Sequence, residues 1–549
     1  MSGTAAVDSE YDFIVVGAGS AGAVVASRLS EGSATVLLLE AGPSDTSPWI
    51  HLPLGFSKTF RNPTVNWMYE SDPEPHLGYR RLYWPKGKVL GGSSSINGLI
   101  WLRGLRSDYQ NWEDMGNQGW SPSETWQVFN RIECVDPSPS KIPQPPVRLS
   151  LPLWRTELSE AFIAGAASMT GAVREDAFNS GEQLGGGYFL HSQYGGRRTS
   201  SATAYLRPRY SRPKLRVETG AFALSVQLEG HHARCVRYEK DGQVRIARAR
   251  REIVLSGGAI NTPQLLQLSG LGRPEDLERA GVRVHHALPG VGANFHDHFT
   301  TRLTFRTDSV RTTLNSVAGS WLGKARVGCE WLLKHSGPLT IGAGVAGAYG
   351  KVVDDVTEPD VQLILVPFKT DNLYKSLTPD AGFQVLVTAS RPSSRGHVVI
   401  RTANPSQPPS MVANYLDTHS DRRTVTEGIR WAREVANTNE LRPFIREEIG
   451  PSANARTSEE LLQYAMQTGG STQHQVGSCR MGSDELAVVD SRLRVHGVTG
   501  LRIADASVMP QVVSANTNAA CFMIGERCAE FVKQEHADCF DRPLPVDDA

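Results

Sequence analysis

The stretch DFIVVGAGSAG, residues 12–22, joins a short apolar run to a cluster of glycines and decides the fold of the first part of the chain. An apolar run of this length is typical of a buried parallel strand. Gly17 allows a tight turn after the strand, Gly19 lets the backbone approach a ligand closely, and Gly22 lets a following helix pack against the strand. The stretch therefore predicts a strand, a turn and a helix in succession.

The residues after the glycines complete a nucleotide-binding pattern. The segment AVVASRLSEG, residues 23–32, continues the helix, and TVLLLE, residues 35–40, predicts a second buried strand that ends at Glu40. Free N–H groups at the start of the helix can bind phosphates, and Glu40 can accept hydrogen bonds from a ribose. We predict a dinucleotide site, with NAD and FAD both open. The lack of a nearby arginine for a 2′-phosphate argues against NADP.

A glycine-serine run lies within WPKGKVLGGSSSINGLIWLRG, residues 84–104. Residues 91–98 are too small and flexible to form the middle of a regular helix or strand. Two interpretations are open: a surface linker, or a buried segment whose backbone faces a flat polar ligand. The apolar LIWL that follows favours the buried segment.

Composition limits the kind of partner that the chain can have. The 549 residues include 57 basic and 57 acidic side chains, so the formal net charge is zero. Such a chain has no bulk attraction to nucleic acid or anionic membranes, and its partners must be recognised locally. Seven scattered cysteines without a CxxC pair favour a reducing compartment. No signal-peptide pattern or apolar run of membrane-spanning length is visible, so the expected location is the cytoplasm, while peripheral membrane association and the oligomeric state stay open.

The stretch STQHQVGSCRMG, residues 471–482, contains one histidine, His474, for which three roles are open. It could be a metal ligand beside Cys479, a core histidine with a satisfied hydrogen bond, or a catalytic base. A metal site needs further ligands, and no second His/Cys pair stands at zinc spacing. His285-His286 and the HDH run of residues 296–298 are more metal-like than Cys479. These residues alone do not decide between the three roles.

Several motifs in the same order resemble the glucose-methanol-choline (GMC) oxidoreductase family, in particular its choline dehydrogenase-like and alcohol dehydrogenase or oxidase branch. Besides the glycine-serine run, they are GAINTPQLLQLSGLG (258–272), LPGVGANFHDH (288–298), GLRIADASVMP (500–510) and SANTNAA (514–520). The resemblance covers nearly the whole chain in the family's order.

The resemblance implies an α/β protein in which a Rossmann-like FAD-binding domain is joined to an α+β substrate domain with a mostly antiparallel sheet. The expected FAD-binding domain is discontinuous and comprises residues 1–157, 199–300 and 471–549. Residues 158–198 and 301–470 form the expected substrate-binding domain.

Local patterns inside the expected substrate domain agree with this organisation. FQVLVTAS (383–390) and GHVVIRT (396–402) predict strands, and DRRTVTEGIRWAREVA (421–436) predicts a helix. Six aromatic residues of this region are candidates for lining a substrate pocket, although aromatic residues more often fill the core. They are Trp321, Trp331, Phe368, Tyr374, Phe383 and Trp431.

The resemblance further implies which residues hold FAD. Those expected at the ADP half are Gly17, Gly19, Ser20, Gly22, Glu40, Ala41, Ala223 and Val226. Those expected near the flavin and pyrophosphate are Trp67, Val89, Gly91, Ser95, Asn97, Gly98, Leu99, Ile100, Asp505, Ala506, Asn516 and Thr517. Some relatives tether FAD through a histidine inside the glycine-serine run. Ile96 stands at that position here, so FAD is predicted to be noncovalent.

The chemistry of the family assigns a role to His474. Alcohol oxidation removes a proton from oxygen and a hydride from carbon, and the flavin takes the hydride at N5. The family places a histidine some forty residues before a second polar residue, and His474 and Asn516 match this spacing. His474 is the predicted proton acceptor, since its ordinary pKa lies near neutrality, and Asn516 is expected to orient the substrate oxygen. Residues 296–298 are expected to form turns and pack domains, Cys479 to fill space, and no metal is predicted.

The leading hypothesis is FAD-dependent oxidation of the CH–OH group of a small-molecule alcohol, with oxygen or a quinone or artificial acceptor taking the electrons. An alternative is a non-redox flavoenzyme, a lyase or photodecarboxylase, on the same scaffold. A third is a non-catalytic flavoprotein, against which the intact His474 and Asn516 argue. An apolar or aromatic alcohol and a choline-like one are both open as substrates. Gln473 and Gln475 stand where relatives often carry an aromatic residue and a proline, which leaves selectivity open.

Overall fold

The computed structural model describes residues 7–135, 146–174, 176–209, 211–309, 311–370 and 377–540. Ser9–Val16 and Val36–Glu40 are parallel strands, and Phe13 to Val16 pair in register with Val36 to Leu39. The helix Ser20–Leu29 lies between them and begins after Gly19. The strand, glycine turn, helix and second strand predicted from the sequence are therefore confirmed.

The first sheet is built around these two strands. Its order is Leu215–Thr219, Val36–Glu40, Ser9–Val16, Gln243–Leu255, His232–Lys240 and Phe222–Glu229, with Leu501–Ile503 also paired to Gln243–Leu255. The central strands are parallel, and the last two join through antiparallel hairpins. Val36–Glu40 and residues 13–16 of the neighbouring strand are buried, and full burial of each apolar side chain there contributes about 1.5–3 kcal/mol.

The second sheet is almost entirely antiparallel. Its order is Glu447–Ile449, Phe299–Arg306, Gly382–Ala389, Val361–Val366, Ala346–Gly350, Gly185–Tyr188 and Val173–Arg174, with Gly470–Ser471 also paired to Phe299–Arg306. Only the Val173–Arg174 pairing is parallel. The α/β fold class with a mostly antiparallel second sheet is confirmed. The expected domain division stays a prediction, and the strands Phe299–Arg306 and Gly470–Ser471 cross two of its boundaries.

Helices cover both sheets. The longer ones are Arg106–Asp114, Pro122–Ile132, Glu157–Thr170, Gly258–Leu268, Trp321–Lys334, His419–Ala436, Ser458–Thr468 and Asn518–Glu535. Shorter helices are Pro48–His51, Phe56–Thr59, Pro274–Arg279 and Leu314–Ala318. The predicted helix at residues 421–436 and the predicted strands, observed at Gly382–Ala389 and His397–Val399, are confirmed. No helix in the described ranges is long and apolar enough to cross a membrane.

The last long helix packs against the first. Arg28 Nε of Ser20–Leu29 donates to Glu526 Oε1 of Asn518–Glu535 at 2.9 Å. A Cβ at Gly525 would lie 2.7 Å from the carbonyl oxygen of Ala21, so the glycine lets the two helices meet closely. This contact brings the segment that precedes the last helix, with Asn516 and Thr517, to the glycine turn of the first.

Candidate active site

The cavity beside the glycine turn has the features that a nucleotide needs. It has a volume of about 1010 Å³, counted out to its mouth. The helix Ser20–Leu29 starts at this cavity, and among the described residues no side chain caps its first N–H groups. Predicted cofactor residues that line it are Gly17, Gly19, Ser20, Glu40, Ala41, Trp67, Ala223, Asp505 and Ala506.

Glu40 organises this turn from within the protein. Its two carboxylate oxygens accept hydrogen bonds from the backbone N–H groups of Ala18 and Gly42, each at 2.9 Å. Burial raises the pKa of Glu40 to about 7, and the two backbone hydrogen bonds oppose that rise. Because Glu40 also lines the cavity, its carboxyl group is placed to accept from a ribose as well as to hold the turn.

A second cavity of about 1560 Å³, again counted to its mouth, continues from the first. The two share walls at Ser20, Trp67 and Ala506, so they form one elongated space. Predicted residues that line the second cavity are Asn97, Gly98, Leu99, Ile100, His474, Asn516 and Thr517, besides Ser20, Trp67 and Ala506.

The combined space fits FAD. Ser20 Oγ donates to Asn518 Oδ1 at 2.8 Å, while the buried Asn518 Nδ2 has no partner in the described part of the chain. Thr517, at the start of Asn518–Glu535, gives this helix no side-chain cap. Two helix N-termini and the free amide donor of Asn518 thus face the junction of the cavities. Together they are the set of hydrogen-bond donors that a pyrophosphate requires. A Cβ at Gly19 would have only Ser256 O, at 4.0 Å, within reach, so its open side belongs to the cavity.

Five predicted cofactor residues lie behind the cavity walls. Gly22 packs against the turn, where a Cβ would lie 2.0 Å from Gly17 O. Val89 fills a small apolar cluster, Gly91 N–H donates to Ala18 O at 2.8 Å, and Ser95 Oγ donates to Leu90 O at 2.6 Å. Val226 N–H donates to Ser269 Oγ at 2.8 Å. The structure gives these residues a supporting position, because their contacts are with the protein that shapes the walls.

The backbone on both sides of His474 fixes its position. Ser471 pairs with Phe299 at the edge of the second sheet, and Val476 forms a bridge with His296. The intervening residues must therefore pass beside residues 297 and 298. His474 N–H donates to Asp297 Oδ1 at 2.8 Å, and the side chain reaches the second cavity.

His298 determines the hydrogen-bonding state of His474. His298 Nε2 lies 3.0 Å from Ser390 O, which can only accept, so Nε2 carries the proton. Burial lowers the pKa of His298 to about 4, so the ring is neutral and its Nδ1 is an acceptor. His474 Nδ1 lies 3.0 Å from that atom and must donate to it. His474 Nε2 is then left with a lone pair.

Asn516 completes this chain of hydrogen bonds at the cavity. Its Nδ2 lies 3.0 Å from His474 Nε2, in agreement with a lone pair on that nitrogen. Its Oδ1 is buried without a partner among the described residues. Thr472 Oγ1, 2.9 Å from His474 Nδ1, is a second group that can accept from that nitrogen. The predicted pair His474 and Asn516 is therefore brought together at one wall.

The electrostatics of the site keep His474 neutral. Burial lowers its pKa well below the ordinary 6.5, and His298 and Lys86 lower it further. Lys86 lines the same cavity, and its Nζ donates to Gln473 O at 2.9 Å. Burial lowers the pKa of Lys86 to about 8, an effect that the nearby Asp297 opposes.

The HDH run of residues 296–298 supports the loop that carries His474, residues 471–476, rather than serving only as a turn. Asp297 accepts from Tyr415, Ser471, Gln475 and the backbone of His474. Burial raises the pKa of Asp297, and these hydrogen bonds oppose the rise. No group of three or more potential metal ligands occurs in the described ranges. Cys479 is fully buried, and burial raises the pKa of its thiol well above 9, which fits a packing role.

Sequence patterns missed most of the second cavity's walls. Of the six aromatic candidates, Phe368 lines it, whereas Phe383 and Trp431 are buried in the core and Trp321 is exposed. Trp331 Nε1 donates to Gly196 O at 3.0 Å, and Tyr374 lies outside the described residues. Apolar wall residues that were not among the predicted site residues are Phe56, Phe60, Ile260, Ala343, Ile364 and Leu386.

The chain belongs to the GMC oxidoreductase family. Family models for the N-terminal and C-terminal parts of GMC oxidoreductases match residues 11–300 and 392–525. The protein is accordingly an FAD-dependent oxidoreductase of the class that acts on CH–OH donors.

Particular relatives extend over almost the entire chain. Mitochondrial choline dehydrogenase of Mus musculus is 37% identical over 549 residues, with 98% of this chain and 91% of the relative covered. Alcohol dehydrogenase (acceptor) of Pseudomonas putida is 36% identical over 530 residues, with 95% of each covered. The crystal structure of pyridoxine 4-oxidase from Mesorbium loti is similar with a TM-score of 0.86 and 27% identity, covering 96% of this chain and 99% of that one.

Proposed function

We propose that the protein oxidises the CH–OH group of an alcohol to a carbonyl, with His474 as proton acceptor. The observation that carries the proposal is the lone pair on His474 Nε2 at the wall of the second cavity, held there by the hydrogen bond from Nδ1 to His298. FAD, when bound, supplies the acceptor for the hydride that leaves the carbinol carbon.

The protein's own groups handle the hydroxyl end of the substrate. The substrate hydroxyl replaces Asn516 Nδ2 as the donor to His474 Nε2, and its proton moves to that unprotonated nitrogen as the carbon–hydrogen bond breaks. Asn516 Nδ2 can donate its second hydrogen to the substrate oxygen, which fixes the direction of the C–O bond and stabilises developing negative charge. Lys86 adds a positive charge at the same wall.

The walls of the second cavity favour an apolar or aromatic alcohol over a choline-like one. Phenylalanine, isoleucine, leucine and alanine side chains form most of the wall away from His474. Among the described residues that line it, none carries a carboxylate, and Lys86 is a cation. A quaternary ammonium group would be repelled by Lys86, and no carboxylate among these residues offsets that charge.

An anaerobic substrate panel tests this function. Purified protein with bound FAD is mixed with straight-chain, benzylic and choline-type alcohols, and flavin absorption is followed. Apolar or benzylic alcohols are expected to bleach it and choline is not, because the wall carries a cation and no carboxylate. Oxygen and a soluble quinone are then compared as acceptors with the best alcohol.

The controls separate this function from the non-redox alternative. Dithionite must bleach the flavin in the same preparation, which shows that the cofactor is present and reducible. If dithionite succeeds while no alcohol of any class does so, the oxidation proposal is wrong and a lyase or photodecarboxylase reaction becomes the better reading. Selective bleaching by choline would overturn the substrate class alone.

Replacing His298 by leucine is expected to lower kcat by roughly tenfold with bound FAD unchanged, because His474 Nδ1 loses its main acceptor. Thr472 Oγ1 remains as a substitute at 2.9 Å, so the loss is partial. The double variant His298→Leu/Thr472→Val should lose more than the sum of the two single changes in activation free energy. His298→Asn, which restores an acceptor, should recover part of the rate.

His191 offers a matched control for this experiment. It is also fully buried, its Nε2 lies 2.8 Å from Gly344 O, and burial lowers its pKa to about 4. It does not touch His474, so His191→Leu should leave kcat per bound flavin unchanged. Equal losses in His191→Leu and His298→Leu would show that cavity formation, and not the state of His474, limits the rate.

A further inference from the structure

The helix Trp321–Lys334 presents large apolar side chains to solvent. Trp321, Leu322, Leu332 and Leu333 are 76%, 62%, 67% and 81% exposed. Within this helix only Val327 is buried, so the usual amphipathic arrangement is reversed. Single exposed apolar residues are ordinary on protein surfaces, but four on one short helix are not.

Helical geometry places the exposed apolar residues on one side. At about 100° per residue, positions 321, 325, 329 and 332 follow one line, and positions 322 and 333 lie immediately beside it. Ala325 and Cys329, which fill the middle of that line, are exposed as well. The outward surface is thus a continuous apolar stripe, which we call the outer stripe, formed by residues 321, 322, 325, 329, 332 and 333.

Positive charges border the outer stripe. Lys324 lies on one side and Arg326 on the other, while Lys334 lies at the end of the helix on the opposite side, and all three are exposed. None of them forms an ion pair with a carboxylate in the described ranges. Glu330 is the only acid of the helix, and it is turned towards Gly337, where a Cβ would lie 2.5 Å from its Oε1.

We propose that the outer stripe docks on an anionic phospholipid surface, with the helix lying in the plane of the headgroups. Its apolar side chains would enter the acyl boundary, while Lys324 and Arg326 meet lipid phosphates. A second copy of the chain suits this surface less well, because self-pairing would bring the same cations together without a carboxylate partner. Because the whole protein has no net charge, its attraction to an anionic membrane must come from this local patch.

The helix is anchored to the protein near the cavity. Trp331 Nε1, on its inner side, donates to Gly196 O at 3.0 Å. The chain then runs through the turn Pro338–Thr340 to Ala343, which lines the second cavity and whose N–H donates to Gly98 O at 2.9 Å. Docking would place this wall of the cavity on the membrane side of the protein.

Vesicle flotation tests the proposal with the flavin-loaded protein. Vesicles of phosphatidylcholine with equal phosphatidylglycerol are expected to carry the protein upward, and pure phosphatidylcholine vesicles far less. The variant Trp321→Ser/Leu322→Ser/Leu332→Ser/Leu333→Ser should reduce the partition coefficient by on the order of tenfold or more. The variant Lys324→Glu/Arg326→Glu should abolish the preference for the anionic lipid, as should high salt for the unchanged protein.

Cys329 provides a direct report of insertion. It is the exposed cysteine of the chain, while the other six are buried. An environment-sensitive fluorophore attached to Cys329 should shift to shorter emission wavelength when anionic vesicles are added. Absence of both flotation and the shift with the unchanged protein at low salt would overturn the proposal.

A control variant and the oligomeric state complete the test. Leu153, Tyr79, Val244 and Leu486 are exposed apolar residues elsewhere on the surface. Their combined replacement by serine should leave vesicle binding unchanged, and an equal loss there would argue against a specific face. If the serine variant of the outer stripe instead converts a dimer to a monomer and the unchanged protein ignores vesicles, a second copy covers the stripe. Turnover with a soluble acceptor should be the same in all variants.

Discussion

The His474→Ala variant is expected to lose about 10²- to 10⁴-fold in kcat/KM for the best alcohol, the range that a positioned general base supplies. The loss follows from the lone pair on His474 Nε2, because the neighbouring Asn516 cannot accept the proton at neutral pH. The bound flavin should keep its absorption and its reduction by dithionite. Stopped-flow measurement of flavin reduction by the alcohol isolates this step from reoxidation.

The pH profile gives the same variant a second readout. A base must be unprotonated to act, and burial with the neighbouring His298 and Lys86 lowers the pKa of His474 well below 6.5. The kcat/KM of the unchanged enzyme should therefore stay level as pH falls through 6.5 and decline only at a distinctly lower pH. His474→Ala should lack that decline. His419→Ala, at an exposed histidine, serves as the control. Unchanged flavin reduction in His474→Ala would assign the proton transfer to another group.

The Gly19→Val variant is expected to weaken FAD binding by about 10²- to 10⁴-fold, since the loss of two hydrogen bonds to a charged group costs about 1.5–3 kcal/mol each. Gly19 has φ −75° and ψ −163°, an extended conformation that valine adopts without strain. Its Cβ would meet no protein atom closer than 4.0 Å, so the side chain enters the cavity and keeps the pyrophosphate from the backbone. Flavin content after purification and titration of the apoprotein with FAD measure the effect.

Gly328→Val is the matched control for this variant. Gly328 lies in the helix Trp321–Lys334, and a Cβ there has no neighbour within 4 Å. The same substitution should leave FAD binding unchanged. Circular dichroism and the melting temperature of both apoproteins separate a blocked site from a misfolded one. A Gly19→Val protein that folds and retains full flavin would show that FAD does not approach this turn.

The glycine turn could be predicted from the sequence because its structure depends on neighbours in the chain. Gly17, Gly22 and the strand that ends at Glu40 interact within about two dozen residues, and each residue type there suits few other backbone conformations. The two strands and the helix of the second domain were predictable for the same reason, since they follow from the spacing of apolar residues within each segment. His474 and Asn516 were found through the family's motifs and not from local patterns.

The support of His474 was not predictable in this way. His298 lies 176 residues before His474, and the two rings meet only because Phe299 pairs with Ser471 at a sheet edge. The identity of His298 did not reveal this role, since the sequence HDH is equally typical of a set of metal ligands. Lys86 was likewise overlooked, because its position beside Gln473 depends on the packing of segments 387 residues apart.

The contact between the first and last long helices sets the order in which the active site can be assembled during synthesis. Ser20, in the first helix, bonds to Asn518, which a ribosome adds 498 residues later. Until that last helix emerges from the exit tunnel, Ala21 and Val24 lack the partner that covers them, and the nascent chain lacks Asn516 and Thr517. The complete site thus forms only after the last helix is available, and the exposed apolar surface of the first helix is prone to aggregation until then.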